Sequence, residues 1–363
     1  MHQTVYRNLF LFVFITLNFI GFSQSVKFSE LKKDQDGNYT YKEKLYTGKT
    51  ILNHANNKKW QEVDWKNGKI DGLYRSFFET GIKETEIEYV AGKRHGTYKS
   101  WYPNGKPEEF SNYKDGILNG SYKSYYQTGT PKKEANYKNG VEEGNLDLWF
   151  ENGKKQQEAY FINGKPDGRV VSYSEDGKMR KDIEYKNGLR DGKSIIYHNN
   201  GQIGELSTFK DGLPDGRTVK FDMNGKKLNE ESYKKGKKDG KWVYYDFTGL
   251  KIKEMNYEND LLDGHYTEWV EGVIDNEGDF KNGKKNGLWV EKASDPKTKC
   301  TGNYVNGERD GAWTFGMSKI YGKCNGSFIN GKKHGDWFYY NYKGKRIRSE
   351  KWDNGELLET KDR

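Results

Sequence analysis

KNGLRDGKSIIYHNNGQ, residues 186–202, has a turn signal at each end and apolar or aromatic residues between them. Nearly the same phrase returns along most of the chain. Stepping from Gly188 gives Gly68, Gly92, Gly116, Gly140, Gly164, Gly212 and Gly236, each 24 residues from the next. Asp260 takes the following slot, and after one 23-residue step the series resumes at Gly283, Gly307, Gly331 and Gly355. A second series runs four residues behind the first, through Gly72, Gly192 and Gly335, and a third, from Gly81 to Gly249, closes each unit. Three glycine registers held over this distance define a repeat protein.

The neighbours of these glycines specify what each repeat is. Asn-Gly at 104, 152, 200 and 224 separates two short strand-like runs. A two-residue Asn-Gly link predicts a type I′ hairpin turn, which needs positive φ at both central residues. The longer link, Asn-Gly-Lys-x-Asp-Gly, supplies two further positions tolerant of left-handed geometry. Glycine at this density stops a helix before it nucleates. Each unit is therefore one β-hairpin. The fold class expected is all-β, an elongated single-layer antiparallel β-meander or solenoid of about thirteen hairpin repeats of 23–24 residues, occupying 44–363.

An aromatic stands three residues before the first glycine of every unit, for example Trp65, Tyr185, Tyr233, Tyr304 and Phe328. If the longer link is symmetric, that ring faces the residue two positions past the second glycine, pairing Tyr233 with Trp242 and Phe328 with Trp337. Such pairs contribute about 0.2–1 kcal/mol each. Another aromatic row, including Trp101, Tyr125, Trp149, Tyr245 and Trp269, lies five residues past the second glycine. Positions two and five differ in parity, so either a bulge separates them or both faces carry rings.

Composition alone points two ways. Charged residues make up 32% of the 363 and the hydrophobic share is only 33%, which reads as a chain too polar to bury a core. The 27 Tyr, 18 Phe and 10 Trp, held at regular positions, decide for a folded protein. Residues 9–22, LFLFVFITLNFIGF behind Arg7, have the layout of a secretory signal, so 1–23 is expected to be a signal peptide and the mature protein to work outside the cytoplasm, in the periplasm, at the cell surface or secreted. No later window is apolar enough to cross a membrane. Residues 24–43 read as a leader or N-terminal cap, and the charged end ETKDR, 359–363, is expected to fray.

The phrases YKNGLRDG at 185–192 and YVNGERDG at 304–311, at this period, resemble the MORN repeats, and more closely their bacterial variant form. The resemblance covers some nine tenths of the mature chain and implies a hairpin-repeat fold acting as a scaffold or binding surface. Some bacterial variants are labelled antitoxins, which gives an alternative function, an immunity-like protein neutralising a toxin. Where MORN repeats often place a further glycine, this chain has Tyr74, Tyr98, Trp242, Trp313 and Trp337, so lipid binding is not carried over.

Residues that could carry chemistry are absorbed by the repeat. His95 and His334 occupy a turn slot held elsewhere by Asp or Asn, and His54, His198 and His265 lack partners at metal-ligand spacing. No catalytic residue, metal site or cofactor is expected, and the protein is read as not an enzyme. Lys and Arg alternate with Asp and Glu without a stripe of one sign, which argues against nucleic acid. Cys300 and Cys324 form the candidate disulfide. They fall in matching slots of adjacent units, about 9.5 Å apart across two strand spacings, whereas a bridge needs Cα atoms within about 7 Å. Pairing therefore requires a local distortion, and repeat regularity does falter near 290–325. The expected role is an exported scaffold presenting an aromatic surface to a protein or envelope-glycan partner. Trp269, Trp289, Trp313, Trp337, Tyr245 and Tyr340 are the candidate contact residues.

Overall fold

The computed structural model describes residues 25–293, 298–316 and 322–363. The expected signal peptide at 1–23 lies outside these, as do parts of the irregular stretches near 294 and 317. Two compact units divide the chain after Gly120.

In both units nearly every element is a strand, most of them six to ten residues long and paired antiparallel with their sequence neighbours, as the repeat predicts. The tight turn, however, sits in the other link. Asn187 and Gly188 have φ of 51° and 85°, the left-handed pair a type I′ turn requires, and Lys186 pairs with Leu189 across them. Asn200 is not left-handed. There the Gly201 N–H donates to the His198 carbonyl at 2.9 Å and the His198 N–H to Gln202 O at 2.8 Å, a three-residue loop whose last residue alone has positive φ. The Asn of this loop serves the next repeat instead. Asn152 Nδ2 donates to Glu175 O at 2.9 Å, and Asn200 Nδ2 to Met223 O at 2.6 Å.

The longer link is not symmetric either. Tyr185 faces Arg190 and Ile183 faces Ser194, so one residue, Glu184, opposes three. Gly192, at φ +113°, lies within this bulge, and any Cβ there would collide with the Glu184 carboxylate. That carboxylate accepts the Lys193 N–H at 2.9 Å, satisfying a donor the bulge removes from the ladder. The expected facing pairs are thereby corrected: Tyr233 is opposite Lys238, and Trp242 is opposite Met255 on the following strand. Rings still meet, along diagonals, with centroids 5.2 Å apart for both Tyr233–Trp242 and Phe328–Trp337.

Between positions two and five past the second glycine the register shifts: Trp242, Val243 and Tyr244 pair in step with Met255, Glu254 and Lys253, but Tyr245 pairs with Lys251, leaving Ile252 as an extra residue on the facing strand. Rings occupy both faces, Trp242 and Tyr244 on one and Tyr245, beside Glu230, on the other. The 23-residue step has a local cause. Glu271 and Gly272, at φ 51° and 77°, make a two-residue turn between Val270 and Val273 where other units use a three-residue loop.

In the first unit the chain before the repeats folds onto them. Ser25–Val26 runs parallel to Lys49–Thr50, and Lys32–Lys33, Tyr39–Tyr41 and Lys44–Leu45 form a small separate sheet. Phe28 and Tyr39 lie against Trp65, at 6.1 and 4.8 Å between centroids. At the other end, Glu356–Asp362 is a strand paired with Arg346–Asp353, where fraying was expected.

Candidate binding face

Strand alternation sorts the side chains of each repeat onto two faces. One face is ionic. Arg75 bridges Glu62 at 3.7 Å and Glu86 at 2.9 Å, Arg169 grips Asp182 through both oxygens, and Lys227 and Lys251 hold Glu230 and Glu254. Side-chain hydrogen bonds from Lys49 and Lys59 carry the Glu62 carboxyl down to about 2, and those from Lys227 and Arg217 outweigh burial and do the same for Glu230.

The other face carries the rings. From Tyr266 onward the centroids of Phe280, Trp289, Tyr304, Trp313, Phe328 and Trp337 follow at 5.5, 5.0, 6.1, 5.1, 6.2 and 5.2 Å, each pair edge to face. Such contacts are worth about 0.5–1.5 kcal/mol each beyond the area buried. The bulge inserts a cation into this row. Lys285 lies 4.2 Å from the Trp289 centroid, Arg309 4.5 Å from Trp313 and Lys333 4.2 Å from Trp337. Each cation is also tied to an acid: Lys285 and Arg309 to Glu291, and Lys333 to Glu350.

Room for these indoles comes from the facing strand. Gly302 is opposite Trp289 on one side and Trp313 on the other, and the Trp313 indole occupies the space a Cβ at Gly302 would take. Gly278 and Gly326 receive Trp289 and Trp337 in the same way. Exposure of the three tryptophans is 1%, 1% and 2%. The indole N–H groups of Trp289 and Trp313 donate to the carbonyls of Asp279 and Asn303 at 2.9 and 3.0 Å.

The six expected contact residues are consequently not brought together. Trp289, Trp313 and Trp337 are buried within the ring row, where they hold strands together. Trp269, Tyr245 and Tyr340 are half-buried on the ionic face, with the Tyr245 hydroxyl donating to Glu230 at 3.0 Å. Cys300 and Cys324 are unbridged. The strand Glu308–Gly316 runs between theirs, with Phe315 opposite Cys324, so the two-strand separation is kept. Burial pushes the Cys324 thiol up to about 11. His95 lies beside the next turn, 3.4 Å from Asp115, and His265 stands exposed between Asp279 and Glu277 at 3.0 and 3.3 Å. Among the described residues no cluster of three or more His, Cys, Asp or Glu could hold a metal ion.

Among the described residues concave surface includes a hollow of about 300 Å³ on the ionic face, beside Arg217, Glu230 and Lys241, and three wider ones. A groove of about 690 Å³ crosses the ring face from Tyr244 to Trp289. A second hollow, about 450 Å³, contains both thiols, Phe315 and Arg309. In the first unit about 540 Å³ opens beside Phe28, Tyr39 and Trp65. The groove residues Tyr257, Tyr266, Glu268 and Asn276 were missed from sequence. The shortened repeat at 271–272 was the local signal, but it says nothing about which face opens.

The family described as MORN repeat variant matches residues 94–115, 118–139, 166–187 and 190–211, so this stretch of the chain carries MORN-variant repeats. No curated protein matches it. Among solved structures it is similar to a chain in "Crystal Structure of TcdB2-TccC3-Cdc42", at 11% identity over 89% of this chain with a TM-score of 0.17, and to one in "Crystal Structure of TcdB2-TccC3", at 8% identity over 89% with the same score. It spans 17% of the length of each of those chains.

Proposed function

We propose that this protein is an exported, non-enzymatic binding scaffold whose ring face receives a protein or envelope-glycan partner. The supporting observation is the division of labour between faces. Ion pairs dominate one side, while the other sets its ion pairs, such as Lys253–Glu268 and Lys285–Glu291, among interlocked rings and holds the wider grooves, the form small-molecule and chain-binding sites take. The buried carboxylates are engaged structurally: Glu291 by Lys285, Tyr304 and Arg309, and Glu350 by Tyr339, Trp352 and Lys333. That leaves them as poor candidates for acid–base chemistry and favours the non-enzymatic reading. Export rests on the apolar segment at 9–22. At least among the described residues no helix is long and apolar enough to cross a membrane.

The test is recovery of partners from the native envelope with the tagged full chain, compared with a variant carrying Tyr257→Ala and Tyr266→Ala on the ring face. Capture that depends on these rings supports the reading. Capture unchanged in the variant removes the ring face as the binding surface, and recovery of a toxin as the dependent partner replaces the scaffold with the immunity reading.

A further inference from the structure

The groove across strands 240–292 is built for one class of ligand. Its floor is aromatic, from Tyr244, Tyr257 and Tyr266, and its polar groups converge on Glu268. Lys253 Nζ lies 3.2 Å from one Glu268 oxygen, while Asn276 Nδ2 and the Tyr266 hydroxyl donate to the other at 2.9 and 3.2 Å. Although burial opposes ionisation of Glu268, the bonds from Asn276 and Lys253 outweigh it and hold the carboxyl below its ordinary range. The groove thus offers a fixed negative acceptor beside an ammonium and an amide, above ring faces.

This groove coincides with two departures from the repeat. Asn259 and Asp260 replace the usual Asn-Gly pair, and Glu271–Gly272 shortens the following link by one residue. Between Trp289 and Trp337 the rings of this unit interlock and bury one another, and the hollow there, beside the two thiols, is the smaller of the two.

We propose that the groove binds a neutral carbohydrate chain, a deepening that rests on the scaffold reading above. Sugar hydroxyls donate and accept, so adjacent hydroxyls answer Glu268 and Lys253 together, while sugar C–H faces lie on the tyrosines. Other occupants are mismatched. A polyproline segment brings only carbonyl acceptors and would set them against the Glu268 carboxylate. An anion meets the same carboxylate, and a cation meets Lys253 and Lys285.

Calorimetric titration of the full chain tests this, using hexasaccharides of N-acetylglucosamine, glucose and mannose, with decaproline alongside. The expected result is saturable binding of at least one hexasaccharide, weakened about tenfold by Glu268→Gln, the scale of one charge-assisted hydrogen bond. Tyr257→Ala should weaken it comparably, and Trp101→Ala in the first unit should leave it unchanged. Glu268→Gln is nearly isosteric, so it reads binding even if Tyr257→Ala disturbs the sheet. Heat from none of the three sugars, affinity indifferent to Glu268→Gln, or equal binding of decaproline overturns the proposal. A protein partner captured undiminished by Glu268→Gln would leave the scaffold standing and remove only the carbohydrate.

Discussion

The tryptophan repeats from Gly278 to Trp337 and the middle repeats from Ala135 to Ser207 divide the same pair of ring-face slots differently. In the first, glycine faces tryptophan, as in Gly302 with Trp313. In the second, Ala135 faces Leu146, and Ile183 faces Ser194. When one member grows the other shrinks, because the strand spacing and the interlocked neighbours fix the volume available. The middle repeats also place small polar residues at buried positions, Ser194 and Ser207, and the Ser194 hydroxyl lacks a hydrogen-bond partner there. One region is therefore held by rings laid on bare backbone. The other is held by modest contacts and by bonds between turns such as Asn152 to Glu175 and Asn200 to Met223.

The contrast is sharpest where a ring is removed. Trp313→Ala should destabilise its repeat by about 3–5 kcal/mol, the range for a fully buried tryptophan. Because a repeat array loses stability unit by unit, hydrogen exchange resolved along the chain is the appropriate measurement. Protection should fall in 299–329 and persist in 131–210. Uniform loss across both would mean that the ring row does not store stability locally.

Next in size is the complementary change. Gly302→Ala places a methyl group where the Trp313 indole lies and should cost about 1–3 kcal/mol as an overpacked contact. The pair Gly302→Ala with Trp313→Leu, which copies Ala135 and Leu146, should recover part of that loss in a double-mutant cycle. Simple addition of the two single effects would break the volume argument.

Acid acts on the ionic face. Folded-state carboxyls at Glu62 and Glu230 titrate near 2 against an ordinary 4.5. Groups depressed in this way add stability above pH about 4.5, and that contribution is lost as pH falls toward 2. Their cationic partners are largely exposed, so screening reduces the effect below that of the tryptophan substitution. Urea unfolding at pH 6 and near pH 3 should show lower stability at the acid end, with 0.5 M salt narrowing the difference. No change across that interval would mean that the Lys49, Lys59, Arg217 and Lys227 contacts are too weak to matter.

The smallest effect is expected in the middle repeats. Ser194→Ala removes a buried hydroxyl that has no partner and should be neutral or stabilising by up to about 1 kcal/mol. A clear loss of stability would show that the hydroxyl is engaged after all.

The candidate contact residues show what was legible and what was not. Trp269 and Trp289 look equivalent as aromatic markers in a periodic sequence. Their faces differ because they stand at different parity in their strands, and their burial differs because only Trp289 meets a glycine across the ladder. Gly278 and Gly302 fall outside the three turn registers, and that was the available signal of a packing role. Cys300 and Cys324 stand unbridged, with the strand that carries Phe315 between theirs.

By itself the sequence determined the period, the hairpin character and, among the described residues, the absence of long helices, because turn glycines and two-residue alternation act on neighbouring residues alone. Only the tertiary structure decided which link holds the left-handed pair, how far each bulge shifts the register, and hence which rings meet and which are sealed from solvent. Those outcomes depend on how much volume two strands share, and that quantity belongs to residues brought together from distant positions in the chain.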